Sequence, residues 1–406
     1  MGAPLGLHYD PRAFSCPDAG RPACLILIIE RMNIFPAVDP IPLPAPVWLF
    51  KTLHIFTLAL HFTAVEMMLG GIIVAAWLNF RGTANRSGAA SQMQLSAAFS
   101  MARRLPVVMT FVINLGVPPL LFSQVLYGRA FYTSSVLIGL WWISVIILLT
   151  ICYWLLYRFA ARAGAGKVAW PFGLAAWMLA EVIARIYVSN MTLMLRPGVW
   201  RDMYSKSGLG AWLPTNDPTI TPRWLFMLAG GLTAAGLWMV WLAGRKQIES
   251  QVRGYLATFG GRLALVMIIA QTVMAFLVFN AQPDIVKSGL GTNLVYKFSG
   301  FGWLAAAVLI LFIAAWSAFA KPATAFAGWL AATAGFLSIA CMALYRDGIR
   351  DLTLSLSGYD VWARTVVTNW PVVGLFLALF VIGLGVLGWL ISVMLRAKTV
   401  SEKVTS

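Results

Sequence analysis

Charge is scarce in this sequence. Of 406 residues only 11% are Asp, Glu, Lys or Arg, and 60% are hydrophobic, where a soluble domain carries about 25% charged residues. With a mean hydropathy of +0.80, the chain reads as an integral membrane protein whose apolar runs are long enough for helices and too long for barrel strands. Histidine is rarer still, with three in the chain. Cysteine is limited to Cys16, Cys24, Cys152 and Cys341, none in Cys-x-x-Cys spacing, which excludes covalent c-type haem attachment, iron–sulfur clusters and thiol redox motifs. Acidic residues number 14 against 30 basic ones, a net charge of +16. In a membrane protein that excess belongs to basic cytoplasmic loops and implies no nucleic-acid partner. An internal repeat, a low-complexity tract and a soluble catalytic domain are also missing, so any chemistry sits in the bundle or at its outer face.

The hydropathy pattern predicts an all-α, polytopic membrane helix bundle of about nine transmembrane helices, near 47–79, 105–127, 136–158, 170–194, 223–243, 260–280, 300–319, 325–345 and 371–395. The loops after odd-numbered spans, together with the 396–406 tail, hold fifteen Lys and Arg, and the other loops hold nine. That asymmetry predicts the N-terminus outside and the C-terminus cytoplasmic. Residues 1–46 form an N-terminal extension whose apolar stretch is too short to span, and Met32 is an alternative start. Segment 88–104 is expected to be an amphipathic helix on the inner surface, and the segments 195–222 and 346–370 are expected to be long outer loops.

Two of the three histidines share the first span, in Lys51-Thr-Leu-His54-Ile-Phe-Thr-Leu-Ala-Leu-His61-Phe-Thr-Ala-Val-Glu66. Seven residues fall about 20° short of two turns, so both imidazoles lie on one face about 10.5 Å apart along the axis. Ionisable groups in a span are costly and mark function by default. Haem ligation is one reading, since imidazole is the usual axial ligand of b haem. Two histidines on one face cannot sandwich one iron, so each needs a partner such as Met109, Met191, Met194, Met267 or Met274, a residue of another subunit, or an open position. Hydrogen-bonded structural imidazoles are the other reading.

Glu66 is expected either to serve a proton path or to stay neutral and hydrogen-bonded to Asn114 or Gln124. Glu181 and Arg185 have the spacing of an intrahelical ion pair, with Arg185 also placed to hold a haem propionate or quinone oxygen. Pro118-Pro119 frees backbone carbonyls in the second span, which implies either a packing kink or a cavity for a planar cofactor or quinone, lined by Gln124.

These features resemble subunit I of the cytochrome bd-type quinol oxidases. His61-Phe62 looks like the His-Phe of that family's first span, where the histidine ligates a high-spin b haem. Tyr187-Val-Ser-Asn190-Met-Thr-Leu-Met194-Leu-Arg-Pro197-Gly198 is similar to the family's Ala-Asn-Gly-Trp-Met-Gln-Asn-Pro-Val-Gly. Weaker similarity runs through Ile113-Asn114-Leu-Gly-Val and Leu242-Ala-Gly-Arg-Lys, and the resemblance covers roughly residues 47–285. The family's fifth-span haem histidine is absent from Arg223-Trp-Leu-Phe226-Met227-Leu, its acidic third-span residues are absent from Val136-Leu-Ile-Gly-Leu-Trp-Trp, and its long quinol loop is reduced to about 281–299. The resemblance thus implies a divergent relative and not a working terminal oxidase. It would be a quinone-linked respiratory subunit of the bacterial cytoplasmic membrane, binding haem b at His61 and His54. Met191, Met194, Arg185 and Gln124 would complete the cofactor sites, and a c-type cytochrome or other respiratory subunit would be the external partner. The alternative is a haem-free membrane scaffold, anchor or transporter subunit.

Overall fold

In a bilayer every backbone N–H and C=O must be satisfied within its own segment, so apolar runs of this length fold as helices. The computed structural model describes residues 41–396 except 86–87, 215–216 and 321–322, and leaves out the side chains of 394–396. The N-terminal extension up to residue 40, with His8, Cys16, Cys24 and Met32, and the tail beyond 396 lie outside the described residues. The helices are α1 (Val47–Ala84), α2 (Ala89–Ala102), α3 (Leu105–Leu137), α4 (Gly139–Gly164), α5 (Trp170–Leu193), α6 (Trp200–Lys206), α7 (Ile220–Ala243), α8 (Ser250–Asn280), α9 (Asp284–Thr292), α10 (Leu294–Ala320), α11 (Ala325–Ser355) and α12 (Trp370–Arg396). Among the described residues nine helical stretches are long and apolar enough to cross a membrane, and no strand forms. The chain is a multi-pass, all-α membrane bundle.

α1 is its axis. It packs against α2, α3, α5, α7 and α11, and 67% of its most apolar window is buried, against 6% for α12. α12 therefore turns nearly all its apolar surface outward, to lipid. The close seat of α1 on α7 depends on two glycines. A Cβ on Gly70 would stand 1.8 Å from the carbonyl oxygen of Gly231, and small residues at such crossings let backbones approach in the absence of a hydrophobic driving force. At the other end of α1, Asn79 accepts the backbone N–H groups of Ala169 and Trp170 at 2.8 and 2.9 Å, satisfying donors at the start of α5.

Three expectations are refined or corrected. The expected amphipathic helix forms over Ala89–Ala102 and turns Ala97, Ala98, Met101 and Ala102 into the core that α1, α4, α5 and α7 share, with Ala89, Ala90 and Gln92 exposed. The backbone leaves helical geometry at Tyr127 (φ −124°, ψ 25°), while Pro118 and Pro119 lie inside continuous α3. Most consequentially, 346–370 does not begin as a loop. α11 continues to Ser355, and Asp347, Arg350 and Asp351 are buried. The charged residues that end the hydropathy peak extend the helix because their charges have partners inside.

The segment 195–222 is partly helical, through α6, and Arg196 closes it by donating to Asp217 at 2.7 Å. Burial raises the Asp217 carboxyl, but the Arg196 guanidinium and the hydroxyl and backbone N–H of Thr219 outweigh it and hold the group below the usual aspartate range. A depressed folded-state pKa contributes stability that is complete above the unfolded value and is lost as pH falls through the folded one. Proteolytic nicking within 195–222 is expected to rise as pH drops below about 4, and Asp217→Asn should show the same nicking at neutral pH.

Candidate functional site

The site is a charge cluster between α1, α3, α10 and α11. Lys51, on the first turns of α1, is 4% exposed. Its ammonium has three protons, and three groups take them at 2.6 Å: the Tyr127 hydroxyl oxygen, Asp347 Oδ2 and the Asp351 carboxylate. Tyr127 passes its own proton on, donating to Asp351 Oδ1 at 2.8 Å. The departure of α3 from helical geometry falls at this same residue. Asp351 also accepts from the Tyr296 hydroxyl and the Trp362 indole N–H, each at 3.2 Å. Asp347 and Asp351 are one turn apart on α11, so both carboxylates face α1.

Arg350 completes the cluster and fixes the state of His54. A guanidinium can only donate, so its contact with His54 Nε2 at 2.9 Å makes that nitrogen an acceptor. His54 Nδ1 then carries the proton and donates it to the Pro119 carbonyl at 3.2 Å. His54 is a neutral imidazole, 1% exposed, with both nitrogens committed. Lys51 and Arg350 balance Asp347 and Asp351, so the core of the cluster is electrically neutral, as a buried group of charges must be to be tolerated.

His61 differs. Its Nδ1 donates to the Val112 carbonyl at 3.1 Å, and Nε2 has no hydrogen-bond partner among the described residues. The ring rests over Gly116, where a Cβ would come within 2.8 Å of His61 Cε1. Beside it Arg346 lies over the Phe62 ring, 5.7 Å from its centre.

The remaining expected site residues do not gather around His61. Met194 is buried and Met191 packs in a second core with Leu126, Tyr127 and Phe131. Their neighbour Asn190 binds Ser134 and Ser135 of α3. Those serines are more than twenty residues from Val112, about 30 Å along the helix, so neither methionine reaches the open side of His61. Gln124 takes the Tyr132 hydroxyl on its carbonyl at 3.4 Å. Glu181 accepts the Trp224 indole N–H at 2.9 Å with one carboxylate oxygen and leaves the other buried without a partner. It forms no ion pair with Arg185, which corrects the expected intrahelical pair. Glu66 faces α7 and α8, not Asn114 or Gln124 of α3.

The sequence reading missed Lys51, Tyr127, Asp347, Arg350 and Asp351. One signal was present. Asp347/Asp351 and Arg346/Arg350 each repeat at i, i+4 directly after an apolar run, a pattern that suits one charged stripe on a continuing helix. The lone lysine of the first span was its complement.

Of the two expected haem ligands, His61 keeps an Nε2 lone pair with no hydrogen-bond partner among the described residues, while its Nδ1–H is held by the Val112 carbonyl. A b-type haem does not fit at His54, which has no lone pair to give. No protein-family model matches the sequence, and a comparison with curated proteins returns no match either.

Proposed function

We propose that this multi-pass membrane protein is a respiratory electron-transfer subunit that binds one b-type haem through His61, as a divergent relative of cytochrome bd-type quinol oxidase subunit I. The observation that carries the reading is the His61 ring itself. Its Nδ1–H is held by the Val112 carbonyl and Nε2 is unpartnered. Ligating histidines are oriented in this way, the second nitrogen donating to a backbone carbonyl or carboxylate and fixing the tautomer. When bound, the haem supplies one-electron chemistry. The chain's own part is to hold the imidazole against Gly116 and to place Phe62 and Arg346 at its side.

In this reading the position opposite His61 is open or filled by another subunit. Arg185, which has no acid partner among the described residues, is left to hold a quinone oxygen. The N-terminus lies outside a bacterial cytoplasmic membrane, and an external c-type cytochrome docks on 195–222 and 356–370. The test is a reduced-minus-oxidised spectrum of the full chain, purified from cells with ample haem. The expected result is a b-type band, and its absence sinks the reading.

The second reading, a haem-free scaffold, is favoured by the Lys51 cluster, which closes the bundle with side chains alone. It predicts a colourless protein as stable as one purified with haem.

A further inference from the structure

Glu66 is at the midpoint of α1 and is 5% exposed. Neither carboxylate oxygen has a hydrogen-bond or ion-pair partner among the described residues. The neighbouring helices make room for it. A Cβ on Gly230 of α7 would stand 2.9 Å from Glu66 Oε1 and 2.7 Å from Gln271 Nε2 of α8. The carboxyl and the amide therefore share the space that the missing side chain leaves, and Gln271 is itself 5% exposed. One residue on, Gly231 sits against Gly70, which fixes the spacing of α1 and α7 at this level.

The charged groups of the helices packed on α1 lie elsewhere. Arg223 of α7 is two turns away from Gly230 and donates to Thr192. Glu181 of α5 is under Trp224. Arg346 of α11 is over Phe62, and Asp347, Arg350 and Asp351 belong to the Lys51 cluster. Arg103 and Arg104 stand between α2 and α3, at the other end of the bundle from Lys51. No charged side chain pairs with the Glu66 carboxyl among the described residues. An isolated carboxylate in such a place costs far more than the structure can return, and the group neutralises instead.

We propose that Glu66, seated between Gly230 and Gln271, is a proton-binding site: an uncharged carboxylic acid inside the bundle, reactive toward apolar carbodiimides and closed to water-soluble ones. The site is independent of haem at His61. In the labelling reaction the acid O–H proton passes to one carbodiimide nitrogen while the carboxyl oxygen bonds to the central carbon, and the adduct rearranges to a stable N-acylurea. A carboxylate without its proton does not take this route.

The experiment treats the full chain in lipid nanodiscs with dicyclohexylcarbodiimide at neutral pH and maps adducts by peptide mass spectrometry. The expected result is one carbodiimide added at Glu66, lost in Glu66→Gln, absent with a water-soluble carbodiimide, falling as pH rises, and equal in sodium and choline salts. Gly230→Ala, checked for folding by gel filtration, should lower the yield several-fold by pushing the carboxyl and amide apart. If that variant fails to fold, the wild-type and Glu66→Gln results decide. No adduct at Glu66 overturns the proposal. So does an adduct that sodium prevents, which would make the group a cation-binding carboxylate.

Discussion

Lys51→Met destabilises the bundle by about 3–5 kcal/mol, the cost of leaving buried charges without their partner. The methionine preserves length and apolar contact, so the loss is electrostatic. Asp347 and Asp351, which are 2% and 8% exposed, then face each other with Arg350 as their remaining close cation. Tyr127 loses its donor as well. The measurement is unfolding of the purified protein in mild detergent or bicelles, followed by a fluorescence or circular-dichroism midpoint. Because the partners form one network, Lys51→Met combined with Asp351→Asn should cost less than the sum of the two single changes, with a coupling of about 0.5–3 kcal/mol. A Lys51→Met protein within about 0.5 kcal/mol of wild type, the range of ordinary surface changes, would mean that the cluster does not hold the helices together.

On the proposed reading, His61→Ala should abolish the b-type absorbance, while His54→Gln should keep it and lower stability. The two imidazoles lie on one face of α1 and differ in what their nitrogens do. His61 has a free Nε2, whereas His54 spends Nε2 on Arg350 and Nδ1 on Pro119. Removing the His54 ring leaves a buried guanidinium donor short of an acceptor, a cost of about 1–3 kcal/mol. Spectra and unfolding midpoints of the two variants, measured together, separate the roles. Equal loss of absorbance from both variants would return His54 to the ligand set and would require the contact with Arg350 to break.

The fold was legible where physics is local. Runs such as Val47–Phe80 and Trp370–Leu395 cannot be anything but spans, and nine of them emerge from composition alone. The common face of His54 and His61 also follows from helix periodicity. Pairings across hundreds of residues were not legible. The end of the apolar run at Tyr345 looked like the membrane surface, because Arg346-Asp347 and Arg350-Asp351 are intolerable in lipid unless something neutralises them. For the two carboxylates the partner is Lys51, on another helix, and no spacing rule reaches it. The same limit misplaced Glu66, whose neighbours are a glycine and a glutamine from α7 and α8. It also misjudged Glu181, where an indole on another helix takes the carboxylate in place of the arginine one turn along.

The Lys51 cluster also sets the order in which the protein can be made. Asp351 follows Lys51 by 300 residues. At about 5–20 residues per second of synthesis, the lysine waits about 15–60 s after its own helix is made before that partner exists. Until then its ammonium lacks both carboxylates, and a long basic side chain near a helix end can keep such a charge in water by reaching to the headgroups. The central helix is thus made well before the helix that completes its charge pairing. Truncation products that end before α11 lack Asp347 and Asp351, so their α1 carries Lys51 without its carboxylate partners and leaves uncovered the surface that α11 packs on.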